Sequence, residues 1–282
     1  MVGRWHPQYI VRQVGEPRQS STEIVIVETD LGQQGFLKAI GNPAGTHCLA
    51  SELVGTQLAE WLGLATLDYG LIQVDESLDS IRLYSGGKAR TGPAFISRSE
   101  PGDTWDGSKS QLRKLVNPDE ISRLVVFDTW VMNRDRKSKR MAVWDNVFLS
   151  TRTADKGKLR LIAIDHTHCF AAADSKPELD LRQIEVPGDL SVYGLFPEFR
   201  GFLDRAVIRQ AARRLGTLER ATVEAILGSI PEAWRVGKVI RQRWAEQILA
   251  RAAWTADQIE TLALGDKHVQ TGWNFGGEEN ES

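Results

Sequence analysis

The spacing of apolar positions changes period several times along the chain, and each change predicts an element. Glu23 to Asp30 hold the β-branched run Ile24, Val25, Ile26 and Val27, which reads as a strand. Gly32 to Gly35 supply a turn into a second short strand over Phe36 to Ile40. Ala50, Leu53, Val54, Leu58, Trp61 and Leu62 then recur at helical spacing, and Gly63 stands where a C-cap belongs. Strand-like stretches return at Tyr69 to Val74, Ile81 to Tyr84 and Pro93 to Ile96. The polar segment Ser97 to Lys109, with Pro101, Gly102 and Gly107, reads as a linker and sets a boundary between two lobes.

Beyond the linker, Asn117, Pro118, Asp119 and Glu120 predict a helix start: an Asn cap, Pro at the first helical position and acids in the first turn. That helix should run to about Met132. Val143 to Leu149 and Leu159 to Ile164 are short apolar runs around a polar loop with Gly157, and they predict a second hairpin. From Arg200 the pattern is mostly helical, with Val207, Leu215, Leu218, Val223, Ile226, Leu227, Trp234, Trp244 and Trp254 as core. The expectation is an α+β fold in two lobes: a β-rich N-lobe over 1–97, a mainly helical C-lobe over 98–270, and an acidic tail over 271–282.

Composition narrows the function classes. The chain has 282 residues, 41% hydrophobic and 26% charged, which suits a packed globular protein. Its formal charge of −2 creates no global field to attract nucleic acid. Cys48 and Cys169 are the two cysteines, far apart, so neither a disulfide framework nor a cysteine zinc site is expected. Residues 1–11 lack a signal-peptide core and no run is long enough to span a bilayer, so a reducing cytoplasm is the expected location.

Two constellations suggest chemistry. Lys38 lies mid-strand with apolar Phe36 and Ile40 as same-face neighbours, so its ammonium must either snorkel to water or meet an acid or a phosphate. Glu52, early in the following helix, is placed to fold back onto it. Farther on, Asn133, Arg134, Asp135 and Arg136 end an apolar helix, Asn146 opens a strand, and Asp165 closes the next strand. Phosphoryl transfer needs a carboxylate to orient the attacking hydroxyl, plus an amide oxygen and a second carboxylate to hold magnesium on the phosphates. A hairpin whose two ends converge on one loop would bring Asp135, Asn146 and Asp165 together. Taken singly, the three are better explained as a helix end, a strand edge and a turn; it is their order together, after a strand Lys and a helix Glu, that points to the functional reading. Asp128, on the apolar face of the same helix, is expected to be buried and to brace the loop carrying Asp135.

At these residues the sequence resembles the HipA-like kinase family, a bacterial group with a protein-kinase and lipid-kinase type of fold. The resemblance is carried by Gly35-Phe36-Leu37-Lys38, Leu49-Ala50-Ser51-Glu52-Leu53 with Leu62-Gly63-Leu64, and Gly92-Pro93-Ala94-Phe95. Phe127-Asp128 with Asn133-Arg134-Asp135-Arg136, and Leu161-Ile162-Ala163-Ile164-Asp165-His166, complete it. It implies a bilobal protein-kinase-like fold and an ATP- and Mg2+-dependent serine/threonine protein kinase. By the same resemblance Lys38 binds the ATP phosphates, Glu52 pairs with it, Asp135 is the catalytic acid/base, and Asn146 and Asp165 bind magnesium. Gly15 to Thr22 resembles the phosphate-covering loop, with Ser20, Ser21 and Thr22 as hydroxyls, and Phe95 joins the nucleotide site. The partners implied are a nucleotide and a phosphoacceptor, expected to be a protein, with no membrane.

One departure stands out. Kinase loops of the H-R-D-x-x-x-x-N type put the metal-binding Asn five positions after the Asp, whereas Asp135 and Asn146 are eleven apart. Lys137 to Asp145 reads as an enlarged loop, basic through Arg134, Arg136, Lys137, Lys139 and Arg140. A catalytically degenerate kinase-like binding module is the alternative. Asp165, His166 and His168 also suit a metal hydrolase, but His6, His47 and His268 lie in no matching motif. Arg205, Arg209, Arg213, Arg214 and Arg220 would suit a nucleic-acid or partner-binding helix, although such arginines more often line an exposed face.

Overall fold

A computed structural model of the chain describes residues 2–17, 22–76, 81–133, 135–136, 146–170 and 191–265. The N-terminal part is a five-stranded antiparallel sheet in the order β1-β2-β3-β5-β4. The strands are β1 (Ile10–Gln13), β2 (Val25–Thr29), β3 (Gln34–Lys38), β4 (Tyr69–Val74) and β5 (Gly92–Arg98). The β2–β3 hairpin pairs Val25 with Leu37, and β3 pairs with β5 so that Lys38 lies opposite Phe95. Ile81 to Tyr84 forms no strand; an isolated bridge joins Arg82 to Lys88, and this stretch folds over the sheet with Ile81 and Leu83 in its core. A short apolar run without a ladder partner adopts whatever backbone buries it.

Helix α1 (Thr46–Leu62) follows β3 and ends where predicted: Gly63 takes the left-handed conformation at φ 88°, and the N–H of Leu64 donates to the carbonyl of Ala59. Leu49, Leu53, Leu58 and Leu62 join the large core together with Phe127, Trp130, Trp234 and Trp244. This helix is therefore enclosed between the sheet and the helical part. That enclosure explains why polar Ser51, Glu52 and Thr56 are also buried on it.

The linker contains more structure than its composition predicts. Gly102–Thr104 is strand β6, pairing with β7 (Val147–Ser150), which pairs in turn with β8 (Arg160–Ala163). Backbone pairing onto an existing edge needs no side-chain signature, which is why a Gly-Asp-Thr segment gave none. The short helix α2 (Lys109–Leu112) precedes α3 (Asp119–Val131). Asn117 does not cap α3: its side-chain amide donates to the carbonyl of Leu161 and its oxygen accepts from the Leu161 N–H, both at 2.9 Å. An amide can mimic a strand neighbour as readily as a cap, and here it clamps α3 to β8.

The helical part closes with α4 (Arg205–Leu215), α5 (Arg220–Gly228) and α6 (Lys238–Leu264). Trp130 and Trp244 are fully buried between α3 and α6, and the Trp130 indole donates to the carbonyl of Ile248 at 3.0 Å. Arg205 and Arg209 pair with Glu260 across the α4–α6 surface, so part of the arginine row has an intramolecular partner. Among the described residues no helix is long and apolar enough to cross a membrane.

Candidate functional site

The site lies where the N-terminal sheet, α1 and the β7–β8 hairpin meet. Lys38 ends β3 and is buried, so its ammonium needs partners. It finds them in Glu52 Oε2 at 2.8 Å, Asp165 Oδ1 at 2.9 Å and Thr167 Oγ1 at 3.0 Å. Glu52 comes from α1, whereas Asp165 and Thr167 come from the segment after β8. Strand, helix and hairpin thus converge on one nitrogen.

Glu52 is held from several directions. Besides Lys38, its Oε2 accepts from the backbone N–H of His166 and the hydroxyl of Thr167, each at 2.9 Å. Burial opposes the charge on Lys38, but Asp165 and Glu52 outweigh it and raise the ammonium above its ordinary range. Burial likewise opposes the charge on Asp165, yet Lys38, with His168 and Thr167 assisting, holds its carboxyl well below the usual range. Both groups are therefore ionised at neutral pH. Asp165 also adopts a left-handed backbone at φ 56°, a conformation that costs free energy and recurs at functional positions.

The hairpin register brings the second group together. Val147 pairs with Ala163, so Asn146 and the Ile164-Asp165 segment leave the hairpin side by side. Asn146 donates from Nδ2 to Asp135 Oδ2 at 3.0 Å, and His168 Nε2 lies 3.9 Å from the same oxygen. Asp135 is one-third exposed, so its carboxylate faces open space between these neighbours. The eleven-residue separation does not prevent contact between the two side chains.

Beneath Asp135 sits a fully buried brace. Arg136 donates from Nε to Asp128 Oδ2 at 2.7 Å, and its Nη1 donates to the carbonyls of Asn146 and Ile164. Asn133 donates from Nδ2 to Asp128 Oδ1 at 3.2 Å, and its own oxygen accepts from the N–H of Asp135 at 3.3 Å. One guanidinium thus grips both ends of the hairpin and ties them to α3. Burial pushes the Asp128 carboxyl up, against the pull of Arg136 and Asn133. Gly194 (φ 66°) packs so closely on Asp128 that a Cβ there would collide with its carboxylate. Asp128 is buried as expected; its partners Arg136 and Asn133 had no signal in the hydrophobic pattern.

His166 occupies the space between the two groups. Its Nδ1 lies 3.1 Å from the Thr56 hydroxyl, its ring stands edge-on to Phe127, and burial followed by the charge of Arg136 pushes its pKa well below 6.5. Gly55 makes room for it: a Cβ at that position would stand 2.5 Å from the His166 Cβ. The run Asp165-His166-Thr167-His168 is polar between apolar Ile164 and Cys169-Phe170, which is the one sequence signal that could have marked it as a buried polar segment.

Phe95 is buried and stacks on Tyr69 with ring centroids 5.8 Å apart, facing the large core beside α1. A smaller apolar cluster lies nearer the site: Leu67, Phe148 and Ile162, with partly buried Phe36 and Ile164 packed against them. It joins β3, two residues before Lys38, to the hairpin next to Asp165. Thr22 is buried at the end of the segment before β2. Ser20, Ser21, Arg134, the loop from Lys137 to Asp145, His268 and the tail 271–282 lie outside the described residues. Among the described residues no group of three or more His, Cys, Asp or Glu side chains is arranged to hold a metal. Asn146 and Asp165 instead offer two hard oxygen donors at adjoining ends of the hairpin, a set that suits a cation completing its shell with phosphates and water.

Comparison with solved structures gives the same architecture. The crystal structure of a Helicobacter pylori proinflammatory kinase, CtkA, matches with a TM-score of 0.52 at 12% identity, covering 91% of this chain and 95% of that one. The crystal structure of the Golgi casein kinase matches with a TM-score of 0.51 at 9% identity, covering 90% of this chain and 74% of that one. At such identities the likeness is one of fold: a bilobal kinase fold with a sheet-rich N-terminal part and a helical C-terminal part. No curated protein sequence matches the chain. The family model of the HipA-like kinases matches residues 10–259, spanning Lys38, Glu52, Asp135, Asn146 and Asp165, and the chain belongs to the HipA-like kinase family.

Proposed function

We propose that the protein transfers the γ-phosphoryl group of Mg-ATP to a serine or threonine hydroxyl of a protein. The observation that carries this reading is the convergence on Lys38 Nζ of Glu52 from α1 and Asp165 from the hairpin, 2.8 and 2.9 Å away. A buried ammonium held by a carboxylate from each side is poised to exchange one of them for phosphate oxygens. The apolar cluster of Phe36, Phe148 and Ile164 beside it suits the flat face of a nucleobase, and Phe95, paired opposite Lys38 on β5, would border that site from the larger core.

In this reading Lys38 binds the phosphates and Glu52 fixes its position. Asn146 and Asp165 would hold Mg2+, which supplies charge neutralisation on the phosphates. Asp135 orients the acceptor hydroxyl and takes its proton as the oxygen–phosphorus bond forms and the bond to the ADP oxygen breaks. Asn146 holds Asp135 in place by donating to Oδ2, leaving Oδ1 for the hydroxyl. A protein working this way in the cytoplasm needs no membrane segment.

The degenerate-kinase alternative rests on the enlarged loop between Asp135 and Asn146. The Asn146–Asp135 hydrogen bond favours the active reading, because the long connection still returns the amide to the carboxylate. Asp135→Asn distinguishes them. The variant should bind Mg-ATP with wild-type affinity by calorimetry and lose phosphate transfer from radiolabelled ATP by about 10³-fold or more, near 4 kcal/mol in barrier. Equal transfer by wild type and variant would remove Asp135 from the mechanism.

A further inference from the structure

A lysine ammonium carries three N–H donors, and three acceptors meet Lys38. Two are carboxylates with roles in the proposed reaction; the third, the hydroxyl of Thr167, has none. Thr167 is fully buried. Its Oγ1 accepts from Lys38 Nζ at 3.0 Å and donates to Glu52 Oε2 at 2.9 Å, while its backbone N–H donates to Asp165 Oδ1 at 3.4 Å. One residue therefore touches every charged member of the group.

We infer that Thr167 is a positioning residue for phosphoryl transfer: its hydroxyl keeps the Lys38 ammonium on Glu52 while Asp165 leaves it to serve the metal. This rests on the proposed function, whose phosphates must displace one acceptor of Lys38 because all three donors are in use. Glu52 Oε2 is fixed by three donors, Lys38, His166 and Thr167, whereas Asp165 Oδ1 has Lys38 and the longer contact to the Thr167 N–H. Asp165 is thus the partner that yields. Without the hydroxyl, the ammonium would be drawn after the departing carboxylate. Lys38 and Glu52 already meet directly at 2.8 Å; a side chain that both accepts from one and donates to the other adds a second link between them, and the β-branch of threonine limits the rotamers available to it.

The test compares Thr167→Val, which keeps the shape and removes the hydroxyl, with Thr167→Ser, which keeps the hydroxyl. The expected result is a kcat lowered about tenfold to a hundredfold in the Val variant, as misplacement of a group at the reacting phosphate predicts. The KM for Mg-ATP should stay within about threefold, and Ser should recover most of the lost rate. Thr167→Ala serves the same purpose if the Val variant does not fold, judged by circular dichroism and thermal unfolding. A folded Val or Ala variant with wild-type kcat overturns the inference and leaves the proposed function standing. A Ser variant as slow as Val also overturns it, because packing of the methyl group would then be what matters. Wild-type protein that fails to bind Mg-ATP in calorimetry overturns the proposed function, and the positioning role with it.

Discussion

Two buried ionic groups lie side by side in this protein, and they differ in access. Around Asp128 and Arg136 the side chains are fully enclosed, and every described contact ties one part of the chain to another. Around Lys38 the enclosure is nearly as tight, but Asp165 keeps a 17% exposed side chain at one edge. A sealed pair can only hold the fold together. A pair with one partner at an opening can trade that partner for a ligand, and this is the difference between the sealed brace and the open group to which the proposed function assigns phosphate binding. His166 spans both: its backbone N–H donates to Glu52, and its ring feels the charge of Arg136.

The sharpest way to break the distinction is to remove one member of the sealed pair. Asp128→Ala leaves Arg136 buried without its carboxylate and should cost about 3–5 kcal/mol of stability in urea unfolding. A loss under about 1 kcal/mol would show that the brace is dispensable. Lys38→Met attacks the open group instead. It should lower phosphate transfer about 10²-fold, near 3 kcal/mol in barrier, while leaving the far side of the molecule unaffected in hydrogen exchange.

A smaller effect should come from His166. Its pKa is depressed in the folded state, so below about pH 6.5 the unfolded chain takes up a proton that the folded chain refuses. Stability from this group is complete above that pH and is lost as pH falls toward the folded pKa, by at most about 1.4 kcal/mol per pH unit. His166→Gln should remove up to one proton from the pH dependence of unfolding between pH 6.5 and 5. An unchanged slope would mean that the imidazole is protonated in the native protein.

Much of the frame is legible in the sequence alone. The period-two run from Phe36 to Ile40, whose strand in fact ends at Lys38, the helical spacing into Gly63 and the two apolar runs around Gly157 each contain their own element, because period and turn chemistry are local properties. Lys38 and Glu52 were readable as partners because burying an ammonium demands one. Strand β6, the amide of Asn117 on Leu161 and the collapse of Ile81 to Tyr84 onto the sheet were not, since each depends on a distant backbone that the local pattern does not name. Thr167 gives no signal in the sequence for a related reason: a hydroxyl announces nothing until its neighbours are known.

The amino-acid order by itself determined the α+β fold class and most of its elements, and it marked Lys38, Glu52, Asp135, Asn146 and Asp165 as candidates for chemistry. Only the tertiary structure decided that the Lys38 ammonium is shared among Glu52, Asp165 and Thr167, and that the amide of Asn146 reaches Asp135 across eleven positions. The reason is physical: periodicity reports which face of an element is buried, whereas a hydrogen bond at 2.8 Å depends on how separate elements are packed, and many sequence separations give the same distance once the chain is folded.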